Sequence, residues 1–270
     1  MFTVADLTIT SLDVIKCYSL AGDPMFELDE LQNAQISNTQ ETQDITGKGG
    51  RKLNTLKRNK AVRVSGANGF ISGGLLEAQT GGKFEHKTST PVAWRDFLVV
   101  NGNAATTEFK AVGAAGSEIE GLWVRNEDGT MGTKLTQAAT AGADTFAYDP
   151  ASKKLTFSDG AIENGTEIVV YYTRNIVGDV LVNDSAKYSQ KMRMYIDFTA
   201  EDACSNVFHG QFYIPKADFS GNFDVDMGDN QTVHNFEIES LVGGSCVGAG
   251  GEHGALWTYT VFGVNASDAA

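Results

Sequence analysis

The sequence predicts a mainly β protein made for assembly rather than catalysis, and three observations carry that reading. From Ala186 to Leu241 apolar and polar residues alternate over long spans (YSQKMRMYIDFTAED, SNVFHGQFYIPKADFSGNFDVDMGD, QTVHNFEIESL), the period of strands with one buried face. Gly 30 stands against Pro 4, and the glycines fall in short polar turns. No GxSxG elbow, P-loop or GxGxxG fingerprint interrupts the pattern.

A chain of 270 residues is enough for one large β domain or two ordinary ones. Its 34 acidic and 21 basic residues give a net charge of −13. That balance disfavours wrapping nucleic acid, which needs clustered Lys and Arg. It suits a surface past which DNA slides, and equally simple solubility. There is no apolar run long enough for a transmembrane helix, and the N-terminus lacks the basic and apolar regions of a signal peptide. Cys17, Cys204 and Cys246 form no zinc or CxxC pattern and read as reduced thiols of a cytoplasmically folded protein.

Along the chain, residues 2–20 read as one or two strands, with a helical turn open at Leu12–Ile15; Gly22-Asp23-Pro24 is a turn and Ala34–Thr39 a modest strand. Residues 44–60 (DITGKGGRKLNTLKRNK) read as a long basic loop or arm leading into a strand at Ala61–Ser65. Ser72 caps the one predicted short helix, with Leu75 and Leu76 facing the core and Gly81-Gly82 ending it. Trp94–Val100 is a strong strand stopped by Asn101-Gly102.

Residues 103–179 are rich in Ala, Gly and Thr. Short strands alternate with turns at Asn126–Gly129, Asp149-Pro150, Asp159-Gly160 and Asn164-Gly165. This spacing predicts a small immunoglobulin-like β-sandwich inserted into a discontinuous host domain of residues 1–102 and 180–270. The host resumes with the alternation of Lys187–Thr199, then Val207–Ile214 and Asn222–Met227 around Pro215, then His234–Leu241, and closes on Ala255–Val264. A glycine-rich loop fills 243–254.

No catalytic, cofactor or metal site is predicted. Asp224, Asp226 and Asp229 miss the EF-hand spacing, and the four histidines, His86, His209, His234 and His253, lack partners at metal-ligand spacing. The basic segment Lys48, Arg51, Lys52, Lys57, Arg58 and Lys60 has three readings: an assembly arm reaching acidic surface on another copy, a solvated loop, or a nucleic-acid patch without an aromatic to stack on. Ala217–Leu241, with Asp218, Asp224, Asp226, Asp229, Glu237 and Glu239 and no Lys or Arg, offers the opposite charge.

The segments DITGKGGRKLNTLKRNKAVRVSG, SGGLLEAQTG and GQFYIPKADFSGNFDVDMGDNQTVHNFEIESL together resemble bacteriophage major tail (tail tube) proteins, over roughly residues 33–100 and 180–264. The resemblance implies a tail-tube-like β-sandwich/barrel with one short helix. It implies hexameric rings stacked in a tube, other tail proteins as partners, and a virion tail assembled in the host cytoplasm. DNA would pass through the lumen without specific binding. The arm then becomes the contact between rings, and Asp197, Asp224 and Asp226 become candidate lumen carboxylates. The competing classes are a capsid decoration protein or adhesin-like binding module, and a hydrolase on a β scaffold.

Overall fold

A computed structural model describes residues 6–227, 232–242 and 254–263. The 243–253 part of the expected glycine-rich loop, Asp229, Cys246 and His253 lie outside the described residues. In chain order the elements are β1 (Leu7–Tyr18), β2 (Pro24–Leu28), β3 (Leu31–Thr46), a single 3-10 turn at Lys48–Gly50, β4 (Lys52–Asn68), α1 (Gly73–Thr80), β5 (Glu85–Val99), β6 (Ala104–Thr106), β7 (Ile119–Arg125), β8 (Met131–Gln137), β9 (Thr145–Asp149), β10 (Lys154–Phe157), β11 (Glu167–Val180), β12 (Lys191–Asp202), β13 (Val207–Phe219), β14 (Val225–Met227), β15 (Thr232–Ser240) and β16 (Thr258–Gly263).

The chain divides into two compact units, Met1–Phe84 with Leu181–Ala270, and Glu85–Val180. The sequence placed the first boundary after Asn101-Gly102, which is too late. β5 pairs along its length with β11, from Glu85 opposite Val180 to Val99 opposite Glu167, so the strong Trp94 strand belongs to the second unit.

The first unit is a nine-stranded sheet, β2-β1-β12-β13-β15-β4-β3, with β14 on β15 and β16 on β13. It curls into a half-barrel. β12 alternates as predicted from Lys191 onward: Met192, Met194, Ile196, Phe198 and Ala200 are buried, while Arg193, Tyr195, Asp197 and Thr199 face the other side. Tyr188 falls before the strand and is exposed. Residues 7–18 form one strand with two register shifts rather than a helical turn. β13 runs through Pro215 to Phe219, although the proline was expected to end it. The register shift between Met192/Ala217 and Met194/Ile214 places Pro215 in a bulge, where its missing N–H costs no ladder bond.

The core joins Ile15, Leu28, Val64, Met194, Ile196, Ile214, Phe236 and Ile238 to Leu75 and Ala78 of α1. The helix starts and stops where local chemistry says it should. Ser72 Oγ accepts from the Leu75 N–H, and Gly81 adopts φ 69 while its N–H bonds Glu77 O. A Cβ on Gly81 would sit 2.1 Å from the Tyr188 carbonyl oxygen, so only glycine fits. Behind the helix, buried His234 bridges it to β15: its Nδ1 accepts from Ser72 N–H at 3.4 Å and its Nε2 bonds Gln79 Oε1 at 2.8 Å.

The second unit is seven-stranded, ordered β5-β11-β7-β8-β9-β10-β6, antiparallel except for a short parallel pairing of β8 with β9. Its core includes Leu122, Leu135, Phe146, Leu155, Ile168, Val170 and Tyr172. Buried Asp96 accepts from Trp94 Nε1 (3.0 Å), the Tyr172 hydroxyl (2.8 Å) and the Glu108 N–H (2.8 Å). The tyrosine hydroxyls of Tyr172 and Tyr148 accept from the Phe109 and Ala111 N–H groups, and the Thr107 and Val112 N–H groups donate to the Lys153 and Thr173 carbonyls, so side chains and backbone together pin segment 107–113 to the second unit.

Candidate assembly surfaces

The basic segment is the second arm of a β-ribbon rather than a loop. β3 and β4 pair from Leu31/Asn68 out to Thr46/Lys52. Only the base of this ribbon is embedded: β15 pairs with β4 at Val62–Asn68 and no further. Among the described residues, the ribbon beyond Thr39 and Ala61 has no other strand paired to it, and nearly every residue there is exposed. A register shift separates base from tip, between Thr39/Ala61 and Glu41/Arg58. Asn59 sits in that bulge at φ 51, and its side-chain amide donates to Glu41 Oε2 at 2.6 Å.

The tip carries six Lys and Arg against Glu41 and Asp44. Lys52 pairs with Asp44 at 2.7 Å, with both side chains about half exposed. Such a pair contributes ~0–1 kcal/mol and leaves Lys52 available to a stronger partner. Lys48, Arg51, Lys57, Arg58 and Lys60 have no ion pair among the described residues. Ile45 (41%), Leu53 (66%) and Leu56 (46%) are also exposed on the ribbon. An isolated two-stranded ribbon is marginal in water, and apolar side chains on it gain free energy only when something covers them.

The predicted acidic counter-surface is partly neutralised within the unit. Arg63 of β4 meets Glu237 at 3.0 Å, and Lys191 of β12 meets Asp218 at 3.5 Å. Asp224, Asp226 and Glu239 keep no ion pair among the described residues. Asp224 precedes β14 and Asp226 lies on it, both exposed.

Asp197 is placed differently. It lies on β12, forms a salt bridge with Lys16 and accepts from Gln211 Nε2 at 2.7 Å, so its charge is already compensated. It belongs to a polar face on the side of the sheet opposite the core. There Tyr195 stacks on Tyr213 at 4.6 Å, and Tyr18 meets Tyr195 edge-on at 5.4 Å. Burial, then the neighbouring Tyr213 hydroxyl, raises the Tyr195 phenol above its usual range. On the same face the Thr199 hydroxyl donates to Asp13 Oδ2 at 2.9 Å, with His209 Nδ1 3.4 Å away. The sequence reading missed Lys16, Gln211 and Asp13, because nothing local on β1 announces which residue of β12 it will face.

No group of three or more metal-ligating side chains occurs among the described residues, and no helix there is long and apolar enough to cross a membrane. Cys17 is buried, which pushes its thiol far above the usual range, and Cys204 is exposed; neither is in a disulfide.

These features describe a β-rich protein: one curled sheet whose main path ends on β2 and β3, and a cationic ribbon reaching past it. The YomU/Tube protein family model matches residues 9–248. The chain therefore belongs to that family, consistent with a phage tail tube protein. Comparison with curated proteins gives no match.

Proposed function

We propose that this chain is the repeating subunit of a phage tail tube. Copies join through the edges of the first unit's sheet into hexameric rings, and rings stack into a conduit that carries DNA from the virion to the host. The observation that supports this most is the β3–β4 ribbon. It leaves the sheet after Thr39, carries uncompensated cations and exposes Ile45, Leu53 and Leu56. In this reading the ribbon contacts the adjacent ring, with Lys48, Arg51, Lys52, Lys57, Arg58 and Lys60 facing carboxylates of another copy.

Sheet edges that end on β2 and β3 invite pairing with further strands, and closure into a ring removes them. Asp224 and Asp226 are better candidates than Asp197 for a phosphate-repelling lumen, because Lys16 already balances Asp197. The second unit is the inserted immunoglobulin-like module, carried on the tube's outer wall. The reading assigns the chain no catalytic role and no cofactor, and its partners are its own copies and other tail proteins. Negative-stain electron microscopy of purified protein tests it: rings or tubes are the expected result, and a persistent monomer at high concentration overturns it.

A further inference from the structure

The second unit contains a cationic cleft that tube assembly does not explain. Residues 109–113, Ala115, Glu118, Pro150 and the β11 residues Arg174 and Asn175 line a cleft of about 600 Å³, the size of small-molecule sites. Arg174 is fixed in a right-angled aromatic corner. Its guanidinium carbon lies 3.6 Å from the centre of the Phe109 ring and 4.0 Å from that of Trp94, and the two rings meet at 89°. Phe109 is in turn held by its N–H bond to Tyr172, and Trp94 by its Nε1–H bond to Asp96.

Held in this way, Arg174 has no anionic partner. It forms no ion pair and donates no side-chain hydrogen bond among the described residues, and its Nε is buried without a partner. Arginine stays charged at any working pH, so an orphaned guanidinium is an invitation to an anion. Lys110, exposed on the same rim, also has no ion pair among the described residues. Because the two rings hold the guanidinium in place, little side-chain entropy remains to be lost when its N–H groups grip two oxygens.

We propose that this cleft binds a monoanionic organic carboxylate, with Arg174 as the fixed clamp and Lys110 as the second cation. Two features select this chemistry. Ala111, Val112, Ala115 and Pro150 supply apolar wall for an organic body. Buried Glu118, tied to the Gly116 N–H (3.0 Å) and Gln137 Nε2 (2.5 Å), puts a fixed carboxyl group in the lining and disfavours a dianion such as phosphate. A small acyl amino acid and a sugar acid both present the required group.

The full chain is titrated calorimetrically with N-acetylglycine and with D-galacturonate, with saturation-transfer NMR on each probe. N-acetylglycinamide, galactose and inorganic phosphate serve as controls. Saturable binding of either carboxylate, absent for the neutral analogues and weaker for phosphate, is the expected result. The probe that binds identifies the peptide-like or the sugar source. Arg174→Gln weakens binding by roughly tenfold or more, and Arg174→Lys by less. Lys110→Ala, a surface change that leaves the fold alone, weakens it roughly threefold. The proposal is overturned if neither carboxylate binds at millimolar concentration, if the neutral analogues or phosphate bind as well, or if folded Arg174→Gln and Lys110→Ala both bind like the parent chain.

Discussion

Asn59 donates its side-chain amide to Glu41 across the β3–β4 ribbon, from a backbone position that most residues avoid. This contact marks where the ribbon passes from the sheet into solvent, since β15 stops pairing with β4 at Val62. Asn is among the few residues that adopt positive φ at low cost, so the bulge and its hydrogen bond support each other.

Asn59→Val should therefore disturb the ribbon while sparing the sheet. A β-branched residue at φ 51 costs ~1–2 kcal/mol locally. Asn59→Gly keeps the backbone and loses only the side-chain bond. Electron microscopy should show tube yield falling sharply for the Val variant and mildly for Gly, with thermal unfolding of both near the parent. Normal tubes from Asn59→Val would remove the bulge from the assembly argument.

Changing Arg51, Lys52, Lys57 and Arg58 together to Glu should block stacking and leave the circular dichroism spectrum unchanged, because the cations contribute nothing to the core. Leu53→Ser with Leu56→Ser should have the same effect through lost apolar contact, without the salt sensitivity expected of the charge contribution. If both variants form ordinary tubes, the ribbon is solvated surface.

Burial lowers the His234 imidazole pKa, and the geometry gives the reason a proton is unwelcome: Nδ1 already accepts from the Ser72 N–H. The unfolded chain thus binds a proton that the folded one refuses. The resulting stability is complete above the ordinary histidine pKa of about 6.5 and is lost progressively as pH falls below it. Urea midpoints at pH 7.5 and 5.5, compared between the parent and His234→Gln, check this. The parent should lose more stability on acidification than the variant, and equal losses would refute the assignment.

Glu85 and Val180 are paired neighbours on adjacent strands, so the second unit leaves the chain where it entered. Deleting 85–180 and joining Phe84 to Leu181 by a two- to four-residue Gly/Ser turn should yield a folded, assembly-competent first unit. Neighbouring antiparallel strands lie only about 5 Å apart, a gap such a turn spans. Insoluble or unfolded product would show that the first unit depends on the second.

The sequence revealed features with local causes. Ser72 and Gly81 mark the helix because caps act within a turn, and β12 shows its alternation because one face is buried. The outer ribbon was illegible for the converse reason. Residues 40–46 and 52–60 bury almost nothing, so no hydrophobic period betrays two strands, and the glycines at 47, 49 and 50 read as a loop when they are its turn. β5 was read as host because a strand's own residues do not say which partner it pairs with. Lys16, which balances Asp197, and the Trp94–Phe109 corner around Arg174 are meetings of distant segments that only the folded chain brings together.

The main path of the first unit's sheet ends on two unlike strands: β2 is 5 residues long and β3 is 16. Two copies offering the same margin to each other meet about a two-fold axis and stop as a pair, whereas unlike margins meet head to tail, with every subunit facing the same way round. Each junction then repeats the same turn, and the number of copies in a closed circle follows from that angle alone. The unequal rims thus give an assembly a direction of travel, with leading and trailing sides that are chemically distinct before any second protein arrives.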